Sequence, residues 1–269
     1  MSLAPYLNVI DATNILALGG MHPHTVREVA TFNLNDFVGA PPASLHSMSV
    51  SDDGTRVYMA DSRVGFYLVD STPLATGAAC DKSHVGANPC LRKVNPDPAA
   101  VLDPSPPDAG GHHSMVKVPG ARPGGQVFAI GSDEVGGPTR CPWSWSRILD
   151  ITSEMNPIQI ATFLLPENLV GNCPRSNQKV NLGTPLEGGR FRAHNPTALK
   201  NLVVHSWYAG GLRIYDISNP YIPVEVGVFF PEAVTNTTFV SDDDENQVSL
   251  WSYPVIKDGL IYGACVILS

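Results

Sequence analysis

Three histidines stand in similar sequence surroundings and are the residues of this chain best suited to chemistry. His46 and His113 each begin the tripeptide HSM, and His194 begins HNP. Each tripeptide leads into an apolar segment that a turn then reverses. Imidazole nitrogens ligate Cu, Fe, Mn and Zn, and three of them that converge would bind one transition metal ion. The sequence therefore predicts a metal site at these three residues.

Other assignments of these positions stay open. His112 is an alternative to His113, and Ser252 or Tyr253 stands where a fourth repeat would carry its histidine. A metal ion bound by three histidines keeps one position for substrate, which indicates a metal-dependent oxidase or hydrolase. A residue that recurs in each repeat is also expected if it only hydrogen-bonds neighbouring repeats, so a purely structural role is the competing interpretation.

Aromatic residues offer a second kind of candidate site. Trp207, Tyr208 and Trp251 could stack against a flat ligand, although such residues also pack between sheets. The sequence has no nucleophile elbow, phosphate-binding loop, dinucleotide fingerprint, HExxH or CxxC motif. Binding without catalysis is therefore the leading interpretation.

The cysteines favour an oxidising compartment. Cys80 and Cys90 bracket a nine-residue polar segment, and Cys141 and Cys173 bracket a second segment between Pro-rich loops. We expect disulfides between the members of each pair, as in periplasmic, secreted or cell-surface proteins. The N-terminal residues have neither the basic nor the apolar region of a signal peptide, so the extracytoplasmic expectation rests on the cysteines.

The elements that must position these residues form a repeat. Four apolar runs end in aspartate, at Asp11, Asp70, Asp150 and Asp216. At such strand ends a carboxylate accepts hydrogen bonds from the amides of the following turn, so a structural role is expected for all four. Strand pairs with a central turn flank these runs, so each repeat contains four antiparallel strands. A repeat of this kind predicts the blade of an all-β fold, the β-propeller.

Four blades are visible in the single domain 1–269. Three are continuous, over residues 44–95, 111–166 and 190–232. The fourth is split between the termini, with an outer strand pair in 5–34 and an inner pair in 248–269. Pairing of the two halves would close the ring and leave no open sheet edge. The alternative is that the chain is the C-terminal part of a larger propeller.

The repeats resemble those of the LVIVD-repeat family of bacterial and archaeal β-propellers. The resemblance is clearest in GGLRIYDISNPYIPVEVGVFFPE (210–232) and extends to ILDITSEMNPIQIATF (148–163). It implies a propeller of a kind often exported or displayed on the cell surface. A more distant analogy, without a matched motif, is to the selenium-binding protein and methanethiol oxidase propellers, which bind metal through histidines.

Composition excludes several classes of partner. The net charge is −8 and no stripe of Lys and Arg is visible, so nucleic-acid binding is not expected. No apolar run is long enough for a membrane span. The leading hypothesis is therefore an extracytoplasmic scaffold that binds an unknown protein or small molecule, and the alternative is the metal-dependent enzyme.

Overall fold

The protein is all-β. The computed structural model describes residues 5–13, 26–37, 43–98, 111–134, 144–172, 191–230 and 254–262. Within these ranges, sixteen strands form three four-stranded and two two-stranded antiparallel sheets.

The first sheet pairs its strands in chain order. It contains β3 (Leu45–Val50), β4 (Arg56–Asp61), β5 (Gly65–Asp70) and β6 (Arg92–Lys93), and a short helix, α1 (Thr72–Thr76), follows β5. The predicted turn at Asp53 and Gly54 joins β3 to β4. Gly54 has a φ of 71°, a conformation that glycine adopts without steric cost. The Asp53 carboxylate accepts a hydrogen bond from the amide of Thr55, which stabilises the same turn.

The second and third sheets repeat this arrangement. The second contains β7 (His112–Lys117), β8 (Phe128–Asp133), β9 (Ser146–Asp150) and β10 (Ile158–Phe163). The third contains β11 (Pro196–Ala198), β12 (Leu202–Trp207), β13 (Gly211–Asp216) and β14 (Val224–Phe229). Each of the segments 44–95, 111–166 and 190–232 thus holds one four-stranded antiparallel sheet, as predicted.

Two strand pairs lie at the ends of the described chain. β1 (Tyr6–Asp11) pairs with β2 (Arg27–Asn33), and β15 (Val255–Lys257) pairs with β16 (Leu260–Tyr262). Asp258 and Gly259, with φ of 52° and 77°, form the predicted turn between β15 and β16. Among the described residues no hydrogen-bonded pairing joins β1 to β16, so the predicted fourth blade is present there as two separate pairs.

Hydrophobic clusters join successive sheets. One cluster contains Ile148 of the second sheet and Trp207 of the third. Another contains Phe66 of the first sheet and Leu149 of the second. A third joins β2, through Phe32, to the first sheet. Burying a large apolar side chain contributes roughly 1.5–3 kcal/mol, so these clusters stabilise the contacts between successive sheets.

A second contact recurs between successive sheets. A hydroxyl on the first strand of one sheet donates to a backbone carbonyl at the start of the next sheet or strand pair. The donor and acceptor residues are Ser47 and His113, Ser49 and Met115, Ser114 and His194, and Thr197 and Pro254. The first strands of the sheets therefore lie side by side, in chain order.

The four repeat aspartates have the predicted structural role. Each side chain accepts a hydrogen bond from the backbone amide two residues further along. The pairs are Asp11 with Thr13, Asp70 with Thr72, Asp150 with Thr152, and Asp216 with Ser218. These carboxylates are therefore turn-stabilising groups.

One of the two predicted disulfides can be seen. Cys80 and Cys90 lie at disulfide distance, with an S–S separation of 2.03 Å. Cys141 and Cys173 lie outside the described residues. In the described part of the chain, no helix has both the length and the apolar character that crossing a bilayer requires.

Candidate metal site

Irregularities in two strand pairs place the first two histidines. The pairing of β3 with β4 shifts register between Leu45 and Ser47, at His46. The pairing of β7 with β8 shifts in the same way at His113. A residue inserted into a strand in this manner is unpaired, and its side chain turns away from the regular pleat. The shared HSM tripeptide thus corresponds to a shared local geometry.

The three predicted histidines come together at the edge of three sheets. The ring centroids of His46 and His113 lie 4.1 Å apart, and those of His113 and His194 lie 4.4 Å apart. His113 is buried between its two neighbours, whereas His46 is exposed. The site is therefore reachable from solvent on the His46 side.

Glu134 joins this group directly after β8. Its Oε2 lies 3.1 Å from Nε2 of His113. Ligand atoms of His46, His113 and Glu134 all lie within 4.8 Å of one another, and His194 is not part of that set. Sequence reasoning missed Glu134, although a signal existed. In an antiparallel pair the end of β8 lies beside the start of β7, so an acidic residue there approaches the histidine.

The charge state of Glu134 follows from its surroundings. Burial acts to raise the pKa of this carboxyl, but the hydrogen bond and charge of His113 act in the opposite direction. Arg192 and His194 add to that opposing effect, and the pKa falls well below its usual range. The group is therefore a carboxylate, the form that binds cations.

His46 is biased towards its neutral form. Although His46 is partly open to solvent, the desolvation of its ring by the groups packed around it lowers its pKa. The neighbouring charge of His113 lowers this pKa further, and together these effects outweigh the opposite effect of Glu134. A neutral imidazole has a lone pair available for a metal ion.

Tyr208 and Arg192 contact the other oxygen of Glu134. The Tyr208 hydroxyl donates a hydrogen bond to Oε1, and Nε of Arg192 lies 3.7 Å from the same atom. The Arg192 guanidinium lies over the Tyr208 ring, 4.3 Å from its centroid. The Tyr208 ring also meets His194 edge-on, at a centroid separation of 5.2 Å. Tyr208 therefore touches three residues of the site.

His112, the alternative to His113, belongs to a separate network. Its Nδ1 lies 2.8 Å from Oδ1 of Asp133, and Nη1 of Arg147 lies 2.7 Å from the same oxygen. The His112 ring also packs edge-on against Phe66. His113, and not His112, is the member of the group that could hold a metal.

The other predicted residues fall in different places. Trp207 is fully buried in the core between the second and third sheets, so it presents no face to a ligand. Its neighbour Tyr208 reaches the site through its hydroxyl instead. Trp251, Ser252 and Tyr253 lie outside the described residues.

A buried serine and histidine lie at hydrogen-bond distance elsewhere in the interior. Oγ of Ser146 lies 2.6 Å from Nε2 of His205, and Nδ1 of His205 donates to the carbonyl of Ser206. Burial lowers the pKa of His205 to about 3, so the ring is neutral at ordinary pH. Neither Ser146 nor His205 is accessible to a substrate, so the pair is a bond between the second and third sheets.

The donor set suits a divalent transition metal ion. Two imidazoles and one carboxylate are common ligands of Zn and of non-haem Fe, and the same donor types also bind Mn and Cu. Nε2 of His113 faces Oε2 of Glu134 and is therefore the ring nitrogen placed to share an ion with that carboxylate, while Nδ1 is buried without a hydrogen-bond partner within the described ranges.

Comparison with known proteins assigns neither a family nor a function to the chain. No protein-family model matches the chain, and no curated protein matches it either. The function must therefore be inferred from the site itself.

Proposed function

We propose that this protein is a β-propeller that binds one transition metal ion, Cu, Fe, Mn or Zn, through His46, His113 and Glu134. The observation that carries the proposal is the clustering of the three ligand groups within 4.8 Å. The clustering joins residues from two neighbouring sheets, and the same elements bring His194 of the third sheet beside them. Sites of this type serve in metal-dependent oxidases and hydrolases.

We also propose that the sheets form a propeller of the LVIVD-repeat type. The order of the sheets supports the ring, and the resemblance of residues 210–232 supports the type. β2 packs on the first sheet, and Thr197 of the third sheet contacts Pro254 beside β15. A ring would bring β16 next to β1 as the middle strands of a fourth sheet. Both strands carry apolar residues that such pairing would cover, since Tyr6 is 54 % exposed and Leu260 is 59 % exposed. Pairing would also remove two open edges.

An extracytoplasmic interaction scaffold is the second candidate function. It is supported by the Cys80–Cys90 pair, because disulfides persist in oxidising compartments. The resemblance to exported LVIVD-repeat proteins points the same way. The two functions differ at the metal site, which a pure scaffold does not need.

Metal titration of the purified protein tests the proposal. After chelator treatment and dialysis, the wild-type protein is titrated with Zn(II), Co(II), Cu(II) or Mn(II), and the bound metal is measured by elemental analysis. We expect one ion per chain for at least one metal. His113→Ala and Glu134→Gln should abolish stoichiometric binding, because each removes a ligand.

Glu225→Gln is the matched control. Glu225 is a carboxylate of β14 that pairs with Arg213 and is not one of the clustered ligand groups. Its substitution should leave the stoichiometry unchanged. Wild-type protein that binds none of the four ions, or binding that survives Glu134→Gln at full affinity, would contradict the proposal.

A further inference from the structure

The two oxygens of Glu134 have different partners. Oε2 faces Nε2 of His113 at 3.1 Å. Oε1 accepts the hydrogen bond from Tyr208 and lies beside Arg192. One side of the carboxylate is therefore directed at the histidines, and the other is held by groups that do not ligate metals here.

Tyr208 is itself firmly placed. It follows the last residue of β12 and is 5 % exposed. Its ring lies between Arg192 on one face and the edge contact with His194. Because the ring is confined in this way, its hydroxyl holds Oε1 in a fixed position.

We infer that Tyr208 is a positioning residue that restricts Glu134 to one-oxygen coordination through Oε2 and so keeps a coordination position open for a small anionic ligand. The inference rests on the proposed metal site and adds the role of Tyr208 and the class of ligand. A carboxylate released from Tyr208 would turn both oxygens to the metal and fill that position.

The number of donors explains why a position stays open. His46, His113 and one oxygen of Glu134 supply three ligand atoms, and a four-coordinate ion needs one more. His194 is not one of the three residues whose ligand atoms lie within 4.8 Å of one another, and its Nδ1 lies 2.7 Å from the side-chain amide of Asn195. The positive guanidinium of Arg192 near the site favours an anion in the open position.

Azide binding to the Co(II)-loaded protein tests the inference. In the wild type, azide should change the visible absorption of the bound cobalt in a saturable way. Tyr208→Phe keeps the ring and its contacts and removes only the hydroxyl. We expect this variant to bind azide 10- to 100-fold more weakly and to show a shifted cobalt spectrum before azide is added.

Tyr215→Phe is the matched control. Tyr215 is a buried tyrosine of the third sheet whose hydroxyl has no hydrogen-bond partner among the described residues. Its removal should change neither the spectrum nor the azide affinity, so a general loss of stability is separated from a change at the metal.

The outcomes distinguish this inference from the proposed function. A Tyr208→Phe variant with the wild-type spectrum and azide affinity overturns the positioning role alone. Wild-type protein that binds cobalt but not azide would contradict the open coordination position and leave the proposed metal site standing. Wild-type protein that binds no cobalt or other metal removes the proposed function, and the inference with it.

Discussion

Replacement of both Cys80 and Cys90 by serine is expected to destabilise the protein by about 2.7 kcal/mol. The cross-link joins residues 10 positions apart. Closing a loop of that length removes about 9 cal/mol/K of entropy from the unfolded chain, which is about 2.7 kcal/mol at 25 °C. For a protein of this size the loss corresponds to a fall of roughly 5–10 °C in the unfolding temperature.

The loop also clamps the first strand pair, which adds to the cost. The carbonyl of Lys82 accepts a hydrogen bond from the amide of Thr31 in β2. His84 lies 2.7 Å from Asp36 and packs against Phe32. A loop that loses its cross-link would hold these partners less firmly, and each lost hydrogen bond costs about 1 kcal/mol. Strands β1 and β2 should therefore unfold locally before the three four-stranded sheets do.

Urea unfolding followed by tryptophan fluorescence measures the effect, and hydrogen exchange of β2 locates it. The double-serine variant measured with and without a reductant shows what the remaining cysteines contribute. An unfolding free energy of the variant within about 0.5 kcal/mol of that of the oxidised wild type would refute the reasoning, since it would leave no room for the loop-closure term. Unchanged exchange in β2 would refute the clamp.

Four further predictions follow from buried polar groups and open edges. His205→Ala should lower the unfolding free energy by about 2–4 kcal/mol in thermal unfolding, because it leaves a cavity and an unpaired Ser146 hydroxyl. The pKa of His205 is lowered to about 3 in the folded protein, so between about pH 6.5 and pH 3 the imidazole is protonated in the unfolded chain but not in the folded one. The unfolding free energy of the wild type should therefore fall as the pH drops through this range. A His205→Ala variant that keeps the wild-type pH profile over that range would contradict this. Arg147→Met should cost about 3–5 kcal/mol in urea unfolding, because it removes the guanidinium that pairs with the buried Asp133 carboxylate, and an effect under 1 kcal/mol would contradict the pairing. If the propeller closes, hydrogen exchange at the edges of β1 and β16 should be as slow as in β4, and fast exchange at both edges would contradict closure.

The repeating features of the fold were predictable from the sequence because they depend on local patterns. Apolar runs ending in Asp70, Asp150 and Asp216 mark strand ends, and Asp258 followed by Gly259 marks a hairpin turn. Each such feature is encoded within a few neighbouring residues.

The site was only partly predictable because its remaining members depend on contacts between strands. Glu134 has no counterpart in the histidine tripeptides, and it reaches His113 through the pairing of β8 with β7. Trp207 and Tyr208 are adjacent in sequence, yet one is packed in the core and the other meets the site, because the chain leaves β12 between them. Composition alone does not distinguish two such aromatic neighbours.

The hydroxyl contacts between first strands have a consequence for how this protein can vary. Ser47 and Ser114 each follow one histidine in the chain and hydrogen-bond the backbone of the histidine in the following sheet. These contacts fix the position of each histidine relative to the next. An insertion between the last two strands of a sheet leaves the first strand and its histidine in place. The loop closed by Cys80 and Cys90, between β5 and β6, is an example. A single residue added within β3 or β7 would instead shift the histidines relative to one another. Length changes should therefore be tolerated in the outer connections and excluded from the first strands.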